Sequence, residues 1–407
     1  MDRTIVLNVR PTSEQAGILH RTLLEHTACF NAVVHEGFTQ QCGDGVELHK
    51  QTYYPLRAAY PDLPAQLVCA ARVKATETVK SALTWQAKNI ANYPKRVEKA
   101  QKKGKPIPVF KPVKCPHVKY CPIRYDARSY WLKWETLTCS LATIAGRVEL
   151  SLTVPSHAQK YIGGKVCSAD LCYRKGKWRL HVVISVPEPD IPKSPEVIGV
   201  DLGLNRPAVT SKHHFLGERR WKEQERRIFR IRRKLQAKGT RSAKRHLKKL
   251  SGKLLRQRKD HDHVLSKRIV EHATPGSTIV IENLTYIRGR AKLRHGEGQR
   301  RLHSWSFAQF HGFLSYKAQE RGITVVKVDP RHTSQTCSRC GYQHRSNRRS
   351  QSLFLCRQCG FSLNADLNAS LNIREKHLAS LGTSLVSGLL SSRLSYPPLG
   401  EMQAPVL

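Results

Sequence analysis

Apolar residues along this chain follow two spacings, and each marks a different kind of region. "IVLNVRP" (5–11) reads as a short strand. Thr12 then offers an N-cap, with Gln15 three residues on as its capping-box partner, and opens a helical region carrying Ile18, Leu19, Leu23 and Leu24 on one side. A second helix runs through "LVCAARVKATETVKSALTW" (67–85), and residues 94–114, rich in Lys and Pro, read as a basic connector. From about 118 to 187 the pattern becomes that of strands, with "YWLKW", "RVELSLTV" and "WRLHVVISVPEP" divided by glycine. "EVIGVDLGLNRPAVTS" (196–211) is a buried strand, a glycine turn and a second strand. Ile228, Ile231 and Leu235, then Leu247, Leu250 and Leu254, repeat at i, i+3, i+7, with Gly239 and Thr240 between the two sets. That spacing predicts a helical hairpin with a narrow packed seam. "STIVIENL" (277–284) and "GITVVKV" (322–328) are further buried strands, with a helix around "SWSFAQFHGFLSYKAQERG" between them. After about 376 the chain is rich in Ser, Gly and Pro and reads as a disordered tail.

A length of 407 residues suits two or three domains, and 40% hydrophobic residues suits buried cores. Charge changes the picture. Lys and Arg number 70 against 30 Asp and Glu, a formal net of +40 and a pI near 10.2. Within Glu218–Arg268 there are 21 basic residues against 5 acidic ones, so the hairpin has broad cationic faces. A surplus of this size opposes compaction unless a polyanion absorbs it, and nucleic acid is the leading candidate. A membrane partner is disfavoured, because no lipidation signal and no long uncharged apolar run is present. "MDRTIVLNVRPTSEQ" has no apolar signal region, which points to a cytoplasmic, nucleoid-associated protein. In that reducing setting the 12 cysteines are not a disulfide framework.

Four of them have metal-ligand spacing. Cys337-x-x-Cys340 and Cys356-x-x-Cys359 stand fifteen residues apart, and each pair is followed by a glycine, Gly341 and Gly360. They supply four thiolates for a structural Zn²⁺ with no open position for catalysis. Free thiols or a redox pair explain two such knuckles less well. Arg339, Arg345, Arg348 and Arg349 in the same segment suggest contact with phosphate. Cys115-x-His117-x3-Cys121 resembles a second site but lacks a fourth ligand. Acidic residues are scarce, so the lone acids of "VIGVDLGL" (Asp201) and "IVIENL" (Glu282) need an explanation. A charge at the end of a buried strand is costly unless it meets a metal or a cation. Asp366 lies in "NADLNASLNI", where Asn364 can cap a helix that turns Ala369 and Ile373 inward. Two carboxylates on neighbouring strands and one on a returning helix would make a divalent-metal triad of the two-metal type.

In order, "GVDLG", "IENL", "CSRCG…CRQCG" and "NADLNASLNI" resemble the three RuvC-like segments and inserted zinc finger of the transposon-encoded TnpB family, relatives of the type V CRISPR effectors. The resemblance extends to "VRPTSEQ" and "VDPRHTSQTCSRCG" and covers most of residues 1–375. It implies a multidomain α+β fold: a β-barrel wedge domain with a helical recognition insert, and an RNase H-like (RuvC) α/β nuclease domain with an inserted four-cysteine zinc ribbon. The corresponding segments are 1–11 and 116–190 for the barrel, 12–115 for the helical domain, 191–332 for the nuclease with its basic hairpin, 333–362 for the ribbon, 363–376 for the last nuclease segment and 377–407 for the tail. By the same resemblance the chain is an Mg²⁺-dependent, RNA-guided endodeoxyribonuclease, with a guide RNA and a double-stranded DNA target bearing a short adjacent motif as partners. Asp201, Glu282 and Asp366 match the family's catalytic magnesium ligands, and Cys337, Cys340, Cys356 and Cys359 its zinc ligands. Many relatives carry an acid where this chain has Asn364. Trp131, Trp134 and Tyr130 serve equally as barrel core or as stacking surfaces for nucleotides. The rival readings are a cleavage-deficient RNA-guided regulator, an RNase H-fold transposase and an RNA-independent nuclease.

Overall fold

The computed structural model describes residues 1–290 and 296–382. The chain divides into two compact units, Met1–Pro187 and Glu188–Leu407. No helix among the described residues is long and apolar enough to cross a membrane.

The first unit begins with β1 (Asp2–Arg10), followed by α1 (Ser13–Thr39), α2 (Gly45–Ala59) and α3 (Ala65–Gln101). Strands β2 (Ile123–Tyr125), β3 (Tyr130–Lys133), β4 (Thr138–Thr143), β5 (Gly146–Thr153), β6 (Lys165–Arg174) and β7 (Lys177–Ser185) complete it. All seven strands join one antiparallel sheet in the order β2-β6-β7-β1-β5-β4-β3. The sheet is nearly closed: the Tyr125 hydroxyl on β2 donates to the Ala142 carbonyl on β4 at 3.1 Å. Inside it lie Leu7, Ile123, Tyr125, Leu141, Leu171 and Leu180, all fully buried. Tyr130 is buried too, while Trp131 and Trp134 are half-buried and the Trp134 indole N–H donates to the Gly164 carbonyl at 3.2 Å.

Helix α1 starts with the expected capping box, the Gln15 amide donating to Thr12 Oγ1 at 3.3 Å and the Thr12 amide to Gln15 Oε1 at 2.9 Å. Leu19 and Leu23 are fully buried, but Leu24 is 46% exposed. At about 100° per residue Leu24 falls well off the stripe that Leu19, Leu23, Phe30 and Val34 form, so the expected inward face is narrower than four leucine-type positions suggest. Helix α2 has no counterpart in the sequence reading; its N-cap Asp44 accepts from the Val46 and Glu47 amides. Helix α3 runs through Pro94 to Gln101, so the first part of the expected connector is helical. That end of the helix is largely exposed, where water can satisfy the carbonyl that a proline frees.

His26 on α1 is fully buried, and neither ring nitrogen has a hydrogen-bond partner among the described residues. Burial, helped by the Lys74 charge, lowers its pKa from 6.5 to about 3. The folded value lies below the unfolded one, so the unfolded chain takes the proton first as pH falls. Stability from a neutral His26 is therefore complete above pH 6.5 and is lost towards pH 3, by about 2 kcal/mol at pH 5. His26→Leu should abolish that part of the acid sensitivity of the first unit in denaturant titrations at pH 7 and pH 5; an equal loss in both proteins would refute it.

The second unit contains β8 (Val197–Asp201), β9 (Ala208–Thr210), β10 (Phe215–Leu216), α4 (Arg219–Lys238), α5 (Arg241–Glu271) and β11 (Thr278–Glu282). It continues with α6 (Ile287–Arg290), α7 (Glu297–Ser304), α8 (Phe307–Gln319), β12 (Thr324–Val328), β13 (Leu353–Leu355), β14 (Ser362–Asn364) and α9 (Ala365–Ser380). Its sheet has the order β10-β9-β8-β11-β12, with β8, β11 and β12 parallel and the other two strands antiparallel. Helices α4 and α5 form the basic hairpin, broken by Gly239 at φ 63° and recapped by Thr240, whose side chain accepts from the Ala243 amide. Ile228 and Leu254 are buried in its seam, joined by Phe229, which the i, i+3, i+7 pattern passes over. Helix α9 continues to Ser380, past residue 376 where the sequence alone ends the last segment; of the expected tail, residues 383–407 lie outside the described residues.

The faces of this sheet are set by strand alternation. Ile198, Val200, Ile279 and Ile281 pack with Leu265 and Ile269 of α5 and Phe310 and Leu314 of α8. Gly199, Asp201, Val280 and Glu282 therefore face the opposite way. Helix α9 covers that second face. A Cβ on Gly199 would lie 2.0 Å from the Ser370 carbonyl oxygen and 2.7 Å from the Arg374 nitrogen. Only a glycine lets helix and strand come this close.

Candidate functional site

Asp201 and Glu282 end adjacent parallel strands, in a register that pairs Val200 with Ile281, so both carboxylates emerge at the same edge. Asp366 lies in the first turn of α9, on the same face. Asn364 caps that helix, its Oδ1 accepting from the Asp366 amide at 3.0 Å and the Leu367 amide at 3.2 Å. Asparagine caps as well as an acid does, so the helix start needs no acid at this position. Ala369 and Ile373 are buried as expected.

Asp201 sits deep with a small solvent-facing part, and its pKa is raised well above the usual carboxylate range. Burial is the main cause, and the charges of Glu282 and Asp366 add to it, while Arg348 opposes them. Glu282 is raised by burial against the Thr333 hydroxyl, Lys376 and Arg348; Asp366 is raised by burial against Arg348 and Arg206. Three carboxylates in one field, each made costly to ionise, form a donor set that fits divalent cations. Their oxygens are spread more widely than the 4.8 Å within which the four-cysteine ligand atoms all lie.

Two contacts hold the acids in place. The Thr333 hydroxyl donates to Glu282 Oε1 at 2.6 Å, and Arg348 Nη2 donates to Asp366 Oδ1 at 3.2 Å and to the Gln351 carbonyl at 3.1 Å. The sequence suggests that Arg348 contacts phosphate, whereas in the structure it turns to an acid. Thr333 was not singled out, and its position in "HTSQTC", just before the first knuckle, was the available signal.

The four cysteines converge. Cys337 and Cys359 sulfurs are 3.8 Å apart, and those of Cys340 and Cys356 are 3.6 Å apart. A tetrahedron of sulfurs around zinc at about 2.3 Å has edges of about 3.8 Å, so the set fits that ion. Gly341 and Gly360 both have positive φ, 75° and 68°, as the turn beneath each knuckle demands. Among the described residues the cysteines are the one metal-type cluster of this compactness, and Cys115, His117 and Cys121 do not form another. Cys121 is buried and Cys115 exposed.

Two family models match: "Probable transposase" over residues 181–288 and "Cas12f1-like, TNB domain" over residues 307–373. The "CRISPR-associated endodeoxyribonuclease Cas12f1" of Sulfoacidibacillus thermotolerans is 32% identical over 219 residues, which is 49% of this chain and 50% of that protein. A "TnpB-like protein" of Methanocaldococcus jannaschii is 32% identical over 131 residues, 32% of this chain and 46% of its own. The chain is a relative of the TnpB-like and Cas12f proteins. It spans about half the length of these curated relatives. A Cas12f1 structure, solved as a complex with sgRNA and target DNA, superposes with a TM-score of 0.56 at 18% identity, covering 89% of this chain and 83% of that one. The mixed α/β multidomain fold of the Cas12 effectors is therefore shared by this TnpB relative.

Proposed function

We propose that the chain is an RNA-guided DNA endonuclease of a transposable element, cutting guide-matched DNA by two-metal hydrolysis in a RuvC-like site of RNase H type. The observation that supports this reading is that Asp201 and Glu282 end adjacent parallel strands while Asp366 opens the helix covering the same sheet face. The strand order of the second unit, three parallel strands flanked by an antiparallel pair, agrees with an RNase H-like domain. Mg²⁺ bound there would supply the Lewis acidity for ionising water and stabilising the departing oxygen. The three carboxylates would hold it, while Thr333 fixes Glu282 and Arg348 anchors Asp366. The four thiolates would hold a structural zinc. The +40 surplus accommodates a guide RNA, base pairing reads the target, and the protein reads a short adjacent duplex motif.

A complete acid triad favours cutting over the regulator reading, and a four-thiolate ribbon immediately before the last acid favours it over a strand-transferring transposase. The test is purification of the chain with its co-expressed RNA, sequencing of that RNA, and incubation with matching duplex DNA and Mg²⁺. Asp201→Ala should lower cutting by about 10³-fold or more, the loss of several kcal/mol of metal-held charge stabilisation, with RNA retention unchanged. Cutting that survives Asp201→Ala would refute the assignment, and a chain that co-purifies with no defined RNA would favour the RNA-independent nuclease.

A further inference from the structure

Beside the acid centre, the second unit holds a cavity of about 140 Å³ to which nothing above gives a role. One water needs roughly 10–15 Å³ on such a measure, so the space admits a body as large as an aromatic ring. Its lining includes the turn after Asp201, from Leu202 to Asn205, together with Trp221 on α4, Asp262 on α5, and Trp305. We propose that this cavity receives one unstacked nucleobase of the DNA single strand presented to Asp201, and that it favours a base with an exocyclic amino group. The inference rests on the nuclease reading and adds a ligand contact to it.

Three features carry it. Trp221 is held flat: its ring stacks on His261 with centroids 4.3 Å apart and planes 15° apart, while Trp305 meets Phe307 edge-on at 6.0 Å. Flat, fixed indoles are stacking platforms for a base of any sequence, worth about 1–3 kcal/mol, which offsets the few kcal/mol needed to take a base out of its stack. The polarity is the second feature. In a chain of net charge +40, this cavity has a charge-balanced lining, with Glu218, Glu225 and Asp262 against Lys222, Arg258 and Arg301. Glu225 is tied to Arg258 at 2.7 Å and Glu218 to Arg268 at 3.4 Å. Asp262 instead takes neutral donors, the Ser306 hydroxyl at 2.6 Å and the Gln309 amide at 2.7 Å, both on Oδ2. Its Oδ1 keeps the capacity to accept. An amino group on a base edge would donate to that oxygen. The third feature is position. Arg301 Nη1 donates to Asn205 Oδ1 at 2.9 Å and Nη2 to the Leu204 carbonyl, which fixes the turn leaving Asp201 as one wall. The cavity wall thus begins one residue after Asp201, on the sheet face that packs against α5 and α8.

The test uses the full chain with its co-purified RNA, carrying Asp201→Ala so that DNA stays intact, and a short single-stranded DNA containing one 2-aminopurine. Binding should quench the probe. Trp221→Ala should remove the quench and weaken binding about tenfold, with Trp221→Phe restoring most of it. Asp262→Asn should lower affinity for adenine- and cytosine-bearing strands about tenfold relative to thymine strands. An unquenched probe, equal weakening for all bases, or a photo-crosslink from Trp221 to the RNA instead of the DNA would overturn the proposal. Duplex cutting by the Asp201 chain is scored separately. Normal cutting without quenching sinks only the base pocket, and quenching without cutting sinks only the nuclease reading.

Discussion

On the proposed nuclease reading, Gly199→Ala is expected to lower DNA cutting about 10²-fold while leaving the core of the first unit intact. The added methyl group has nowhere to go: its contacts would be the Ser370 carbonyl oxygen at 2.0 Å and the Arg374 nitrogen at 2.7 Å, both backbone atoms of α9. The strand cannot yield either, because the Gly199 amide donates to Ser211 Oγ at 3.0 Å and its carbonyl accepts from the Ser211 amide at 2.8 Å. The helix must therefore move. Overpacking of this kind costs about 1–3 kcal/mol, and more where backbone meets backbone. The helix that moves is the one bearing Asp366, and a displacement of about 1 Å at a reacting centre costs about 10²-fold in rate. Gly312→Ala is the contrast, since its Cβ would meet nothing within 4 Å and it lies inside α8. That change should be neutral or should stabilise by up to about 1 kcal/mol, the helix preference of Ala over Gly. Equal cutting rates for Gly199→Ala and Gly312→Ala would refute the role given to close packing of α9.

The contrast between these two glycines shows what a sequence can and cannot disclose. Asp201 and Glu282 were conspicuous because each is a lone acid after a run of β-formers in a chain poor in acids. Asp366 was conspicuous through the helix cap before it. The period-2 alternation then determines which sheet face each acid occupies, so the common edge of Asp201 and Glu282 follows from local pattern plus parallel pairing. Contacts between distant segments leave no such trace. Nothing in "HTSQTC" says that Thr333 reaches Glu282, and nothing near Arg348 distinguishes it from Arg339, Arg345 and Arg349, although it alone of the four pairs with Asp366 among the described contacts. Helix α2 was missed because its apolar positions, Leu48 and Leu56, are few and its interior contains Pro55. Helix α3 overran a Lys- and Pro-rich stretch because composition reports solvent preference more faithfully than it reports where a surface helix stops.

On the same reading, loss of the zinc proposed for the four-cysteine site is expected to slow cutting through the same helix by a different route. The ribbon is too small to hold its shape by burial: its core is Cys337, Phe354, Cys356 and Ala365, with Tyr342 and Phe361 against it, and its sheet is the single hairpin β13–β14. Four thiolates around zinc contribute folding energy on the order of 10 kcal/mol to such a unit. The segment it pins is also the segment that holds the acids. The Ser338 amide donates to Asn368 Oδ1 at 3.0 Å, Asn368 Nδ2 donates to the Thr336 carbonyl at 2.8 Å, and Asn372 Nδ2 donates to the Thr333 and Thr336 carbonyls at 2.8 and 2.7 Å. Thr333, buried beneath them, carries the hydroxyl on Glu282. If residues 333–338 loosen, α9 loses its anchoring amides and Glu282 its donor together. The Cys356→Ser, Cys359→Ser double variant should therefore contain no zinc by elemental analysis and cut DNA at least about 10²-fold more slowly. Excess Mg²⁺ should not restore it, because on the proposed reading the acids, and not the ions they would hold, are out of place. RNA retention should persist, since the strongly basic hairpin and the first unit do not depend on the ribbon for their cores. A zinc-free double variant that cuts at the rate of the unaltered chain would show that the ribbon does not position Asp366.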